Sequence, residues 1–97
     1  MNYLAGDIGG TKTRLAIFQT SSNLINIHQK DYSSNQWPSL ESILSEFLQT
    51  IPNNIDLPNH GCIAVAGAVS NGYSKLTNLG WEIKESKIKE LREYEKK

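Results

Sequence analysis

The sequence has 97 residues, of which 38% are hydrophobic, and its ten lysines and arginines are balanced by ten aspartates and glutamates. A chain of this size makes one small domain at most, and zero net charge argues against recruitment of nucleic acid or an anionic membrane surface. The single cysteine, Cys62, excludes a disulfide framework and a cysteine-cluster zinc site, and no apolar run is long enough to span a bilayer. We therefore expect a soluble, cytoplasmic protein that binds neither nucleic acid nor membrane.

Three strand-length segments occupy the first third of the chain. Tyr3 to Ile8 and Leu15 to Phe18 are short apolar runs separated by a Gly-Gly pair, and the turn-rich QTSSN follows the second run. Leu24 to Tyr32 predicts a third strand. Because the connections are short, the three strands are expected to form an antiparallel meander.

A helical period follows the meander. Pro38 or Ser39 is expected to begin the helix and Pro52 to end it. The apolar residues between them recur at the spacing of one helical face: Leu40, Ile43, Leu44, Phe47, Leu48 and Ile51.

The segment after the helix contains a continuous apolar run and a turn signal. Cys62 to Ala66 is typical of a strand buried on both faces, which predicts a buried, inert Cys62 thiol. Asn71-Gly72 between short extended arms predicts a two-residue hairpin turn, because both turn positions need positive φ.

The end of the chain carries most of the charge. Eleven of the twenty charged residues lie between Glu82 and Lys97. From Lys84 onward we predict a solvated helix with a narrow apolar stripe, Ile88 and Leu91. Its i, i+4 pairs are Glu85 with Lys89 and Glu93 with Lys97.

The glycine-rich stretch at the start of the chain is a candidate phosphate site. Gly6 to Thr13 fits the P-loop pattern G-x-x-x-x-G-K-[ST] except that Thr11 replaces the second glycine. A P-loop must open a helix, whereas the next residues, RLAIF, are too few before the turn to form one. The dinucleotide pattern G-x-G-x-x-G is absent.

The remaining interpretation is a strand, a tight Gly-Gly turn and a second strand. Glycines at a hairpin tip allow backbone N–H groups to approach an anion, Thr11 adds a hydroxyl and Lys12 a positive charge. Asp7, close to the loop, is suited to hold Mg²⁺ through water. In the alternative interpretation, the glycines only make a turn and the polar residues are surface groups.

Two motifs resemble a known family. GDIGGTKTRLAIF resembles the first phosphate motif of the actin-like sugar kinases, and CIAVAGAVSNGYSKLTNLGWEI, from Cys62 to Ile83, narrows the resemblance to the bacterial glucokinases. The resemblance implies an α/β fold, the N-terminal part of a ribonuclease-H-like (actin-like ATPase) lobe. Its expected order is three-stranded antiparallel meander, helix, parallel strand, small hairpin, helix. Residues 1–97 are then a partial N-terminal lobe that ends before the catalytic strand.

The family resemblance also assigns residues and ligands. It implies ATP-dependent phosphorylation of glucose to glucose 6-phosphate, with ATP and Mg²⁺ bound, and a homodimer as one state of a full-length parent. Asp7 would lie near Mg²⁺, and Asn78 would contact a sugar hydroxyl. The expected catalytic aspartate, in an Asn-Asp pair, lies beyond residue 97, so the chain alone is expected to be inactive. The predicted ATP phosphate hairpin consists of Gly6, Asp7, Ile8, Gly9, Gly10 and Thr11, with Lys12 beside it.

The sequence departs from the family pattern at three positions, of which Lys12 keeps a related family open. Ala68 and Gly80 stand where the family usually has proline, and Lys12 is common in the related ROK sugar kinases. A ROK-type kinase acting on another hexose is therefore one alternative. A non-enzymatic remnant or nucleotide-binding fragment is the other.

Overall fold

The structure is a computed structural model that describes residues 1–65, 70–76 and 79–89. A four-stranded sheet has the order β3-β2-β1-β4, in which β2 lies antiparallel to β1 and β3, and β4 lies parallel to β1. β5 and β6 form a separate antiparallel hairpin. The elements are β1 (Asn2–Ile8), β2 (Lys12–Thr20), β3 (Leu24–Ser33), a 3-10 turn (Ser34–Gln36), α1 (Leu40–Thr50), β4 (His60–Val65), β5 (Tyr73–Leu76) and β6 (Trp81–Lys84).

The predicted meander is confirmed, and its strands are longer than their apolar runs. β2 starts at Lys12 because polar residues alternate with buried ones there: Thr13 and Leu15 are fully buried, whereas Lys12 and Arg14 are exposed. A half-exposed strand needs only every second residue to be apolar.

Helix α1 supplies the other half of the core and is also confirmed. Ser39 is its N-cap, accepting from the Ser42 N–H at 3.2 Å, while the Ser39 N–H donates to the Ser42 hydroxyl at 3.3 Å. The apolar face packs on the sheet in one cluster with Ile8 and Leu15. His28 ties β3 to α1, with its Nε2 3.1 Å from Thr50 Oγ1.

The expectation of a strand buried on both faces is wrong for β4. Cys62 and Ala64 are exposed, and Ile63 and Val65 are only partly buried. Such burial requires layers on both faces of a parallel strand. The core of the described residues lies on the Ile63 face, so the alternating Cys62 side chain points to the opposite, uncovered face.

The Asn71-Gly72 turn is confirmed, with φ of 52° and 73°. Strand β6 was not predicted, because its two buried residues, Trp81 and Ile83, alternate with charged residues that suggested the final helix. Gly80 adopts φ of 69°, a conformation closed to proline.

The helix expected from Lys84 onward starts one residue later, and residues 85–89 are helical. Glu85 and Lys89 form the predicted ion pair at 3.1 Å. Leu91, the Glu93–Lys97 pair and the remainder of that helix lie outside the described residues. In the part of the chain that is described, no helix has both the length and the apolar character to cross a bilayer.

Candidate functional site

The tip of the β1–β2 hairpin forms the candidate site. Ile8 pairs with Thr13 as the last register position, and the Gly9 N–H donates to the Lys12 carbonyl oxygen at 2.9 Å. Gly10 and Thr11 make the tip. Because β2 continues from Lys12 as a strand, the loop opens no helix, which excludes a P-loop.

Gly9 is required for close approach of the backbone rather than for an unusual backbone torsion. Gly9 and Gly10 both lie outside the left-handed φ region. A Cβ on Gly9 would sit 3.1 Å from the Lys12 carbonyl oxygen, closer than ordinary van der Waals contact. Among the described residues neither the Gly10 N–H nor the Thr11 N–H has an acceptor.

A buried serine holds the loop from below. The Ser34 N–H donates to the Thr11 carbonyl oxygen at 2.9 Å, and the Ser34 hydroxyl donates to the Gly9 carbonyl oxygen at 2.8 Å. Thr13 Oγ1 lies 2.8 Å from Ser34 Oγ. Ser34 was not predicted from the sequence, because a serine in the turn-rich YSSN segment has the same local pattern as a surface serine.

Two of the predicted site residues, Gly6 and Ile8, are accounted for by packing in the core rather than by contact with a ligand. Gly6 lies within β1, where a Cβ would approach Ile63 Cδ1 to 2.6 Å and Leu15 Cδ2 to 3.1 Å. The side chain of Ile8 is fully buried in the core. These two residues present only backbone atoms near the loop, whereas Thr11 and Lys12 are exposed.

Asp7 belongs to a row of charged residues across three strands. It is opposite Arg14 on β2, and Arg14 is opposite Asp31 on β3. Arg14 Nε lies 2.9 Å from Asp31 Oδ1, and Nη2 lies 3.2 Å from Oδ2. These hydrogen bonds, with the charge attraction, raise the pKa of Arg14 and lower that of Asp31, and Lys12 lowers the Asp31 pKa further.

The Asp7 carboxylate is exposed, and no cation of the described residues pairs with it within 4.0 Å. In the same part of the chain, no three His, Cys, Asp or Glu side chains gather as a metal site. An exposed carboxylate is chemically suited to Mg²⁺, which keeps several waters and binds through one or two carboxylates and the substrate phosphates.

Two regions away from the hairpin tip also bear on function. Asn78, expected on the sugar side, lies outside the described residues, as do Thr77 and Ala68. A groove between β4 and the β5–β6 hairpin is lined largely by apolar side chains, and no residue of the 9–12 loop contributes to it. Thr11 and Lys12 are exposed at the hairpin tip, whereas the basic side chains of the groove are His60 and Lys89, of which Lys89 is paired with Glu85 at 3.1 Å.

Comparison with known proteins agrees with this fold. The glucokinase family model matches residues 4–96. The chain is 45% identical over 80 residues to a glucokinase of Nostoc punctiforme and 46% identical over 82 residues to one of Nostoc sp.; each match covers 80% of this chain and 23% of the relative. A crystal structure of a glucokinase from an Antarctic psychrotroph superposes with a TM-score of 0.83 at 30% identity, covering 96% of this chain and 30% of that one.

The fold is thus the N-terminal part of a ribonuclease-H-like kinase lobe, with a strand–turn–strand loop at the ends of its parallel strands. The chain belongs to the glucokinase family. It spans about a quarter of the length of the curated relatives that it matches.

Proposed function

We propose that this chain supplies the ATP phosphate-binding element of a kinase that phosphorylates glucose to glucose 6-phosphate. The observation that carries the proposal is the Gly10 N–H at the hairpin tip, which has no acceptor among the described residues, together with the exposed side chains of Asp7 and Lys12 on the two strands that the tip joins. Membership of the glucokinase family supports ATP and glucose as the two substrates.

Each exposed group at the tip has a distinct role. The Gly10 N–H and the Thr11 hydroxyl donate to phosphate oxygens, and Lys12 offsets their negative charge. Asp7 holds Mg²⁺ through water, and the ion, when bound, neutralises charge on the phosphates. Gly9 permits the close backbone approach at the turn, while Gly6 and Ile8 fix β1 beneath the loop.

The sugar side and the catalytic base complete the proposal. Asn78 contacts a glucose hydroxyl. Transfer to that hydroxyl also needs a base, and the Asn-Asp pair expected from the family resemblance occurs nowhere in the 97 residues. The catalytic aspartate of a full-length parent would then lie beyond residue 97. We expect no glucose-dependent ADP formation by this chain alone in a coupled assay, and measurable turnover would contradict that part of the proposal.

Binding of Mg-ATP by the chain is the direct test. In a titration followed by amide NMR of the ¹⁵N-labelled chain, the largest shifts should fall on residues 9–12. Asp7→Asn should weaken the response only when Mg²⁺ is present, and Lys12→Ala should weaken it at any Mg²⁺ concentration. Matched controls are Asp56→Asn and Lys75→Ala, since both side chains are exposed and outside the loop. Shifts centred elsewhere, or equal losses in the controls, would refute the assignment.

The proposed preference for glucose is tested with a full-length parent protein. We expect glucose to be preferred over other hexoses in kcat/KM, an expectation that family membership supports. Preference for a different hexose would favour the ROK-type alternative suggested by Lys12, without affecting the assignment of the ATP loop.

A further inference from the structure

We propose that Ser34 is a positioning residue that aims the Gly10 N–H at the bound anion, an inference that rests on the proposed phosphate site. Ser34 reaches the tip across 25 residues of sequence and is fully buried. Its two donors hold two carbonyl groups of the loop, those of Gly9 and Thr11, at 2.8 Å and 2.9 Å.

The planar peptide links this inner contact to the outer surface. In a trans peptide the C=O and the following N–H point in opposite directions, and the chain contains no cis bond among its described residues. Fixing the Gly9 carbonyl inward against Ser34 therefore turns the Gly10 N–H outward. Like the Thr11 N–H, this N–H has no acceptor among the described residues.

The number of hydroxyl protons determines which of the two buried hydroxyl groups, those of Thr13 and Ser34, donates to the other. The single Ser34 hydroxyl proton is used on the Gly9 carbonyl, so the Thr13 hydroxyl, 2.8 Å away, must donate to Ser34 Oγ. The chain of donors is thus Thr13 to Ser34 to Gly9. Donation by Thr13 polarises the Ser34 hydroxyl and strengthens its bond to the carbonyl.

Glycine makes this support necessary. Gly9 and Gly10 lack the side chains that restrict backbone torsions, so an unsupported loop would sample many orientations of the Gly10 amide. Binding would then have to order the loop, which lowers affinity. Ser34 confers that order before the anion arrives.

The test compares Ser34→Ala with Ser74→Ala. Ser74 is a matched control because it is 3% exposed and its hydroxyl has no hydrogen-bond partner among the described residues. Ser34→Ala should weaken Mg-ATP binding about tenfold, the effect of one buried hydrogen bond, and lower the NMR order parameters of residues 9–12 without ligand. Ser74→Ala should change neither quantity.

Variants at Thr13 keep the test decisive if Ser34→Ala does not fold. Thr13→Val removes the donor to Ser34 at nearly constant volume, and Thr13→Ser restores it. We expect Thr13→Val to lower both affinity and loop order partway, and Thr13→Ser to recover them; equal behaviour of the two variants would overturn the proposal.

The two proposals fail in different ways. Wild-type loop order in a folded Ser34→Ala variant refutes the role of Ser34, whatever the chain binds. A wild-type chain that leaves Mg-ATP unbound, while Ser34→Ala still disorders residues 9–12, refutes the nucleotide assignment instead.

Discussion

Asp31 holds the guanidinium of Arg14 through two hydrogen bonds of 2.9 Å and 3.2 Å, although Arg14 lies opposite Asp7 in the β1–β2 register. The arginine thus has two carboxylate neighbours and bonds to the one on β3. Asp7 lies on β1, on the opposite side of Arg14 from Asp31, and its carboxylate forms no ion pair with a cation of the described residues.

Asp31→Asn should release Arg14 toward Asp7 and weaken Mg-ATP binding, because Arg14 would then compete with Mg²⁺ for the same carboxylate. We expect a loss of roughly threefold, as the groups are exposed and screened by water. Isothermal titration at low salt measures it. Glu46→Gln, which breaks the similarly exposed Lys30–Glu46 pair at 3.5 Å, is the control and should have no effect on binding.

The Arg14–Asp31 pair makes the folding stability depend on pH, and the direction of that dependence follows from the lowered pKa of Asp31. The pKa of Asp31 is lowered by Arg14, so its contribution to folding stability is present above the ordinary carboxylate pKa and is lost as pH falls through the lowered value. In acid unfolding, the Asp31→Asn variant should not show the part of the stability loss that comes from protonation of Asp31. An acid transition identical to that of the wild type would contradict the prediction.

Tyr32→Phe should leave stability at neutral pH unchanged or slightly higher, because the Tyr32 hydroxyl is buried without a hydrogen-bond partner among the described residues. Burial, aided by the negative charge of Glu46, raises the pKa of Tyr32 to about 12. As pH rises above 10, the unfolded chain ionises first, so the native state loses up to about 2 kcal/mol of stability.

Chemical denaturation between pH 8 and 12 tests this loss, which should disappear in Tyr32→Phe. Tyr73→Phe is the control, since Tyr73 is 39% exposed and should leave the alkaline loss in place. If the Tyr32→Phe variant still loses stability at high pH, the loss is caused by a group other than Tyr32.

Gly6→Ala should destabilise the fold by about 1–3 kcal/mol, because the new Cβ would lie 2.6 Å from Ile63 Cδ1. Ile63→Val removes that methyl group. In a double-mutant cycle the pair should therefore cost less than the sum of the single changes, as measured by denaturant unfolding.

Gly61→Ala is the matched control for this overpacking. Its nearest contact would be 3.4 Å, from the Leu4 carbonyl oxygen, so it should cost less than Gly6→Ala. Strict additivity of Gly6→Ala and Ile63→Val would show that the methyl group is not the obstacle.

Cys62 should react readily with a thiol reagent in the native chain, because its side chain is exposed on the uncovered face of β4. The rate of labelling under native conditions should approach the rate in denaturant. Strong protection of the native thiol would mean that another surface covers this face in solution.

The sequence predicted the elements whose signals are local. The spacing from Leu40 to Ile51 fixed α1, and Asn71-Gly72 fixed the turn before β5, because both depend on neighbouring residues. It also predicted the strand–turn–strand loop from the length of RLAIF. β6 was not predicted because its alternation is too short: only two buried residues, Trp81 and Ile83, alternate with charged ones. Such a short pattern cannot be distinguished from the residues that lead into a charged helix.

The tertiary structure decided what depends on strand order and register. Whether β4 is covered on both faces depends on the layers above it, and its apolar run carries no information about them. The Arg14–Asp31 pair joins residues 17 positions apart, and Ser34 reaches Gly9 across 25. The loop and its charged residues could be identified from the amino-acid sequence alone. Only the packing of β1, β2 and β3 establishes which carbonyl group bonds to Ser34 and which carboxylate bonds to Arg14.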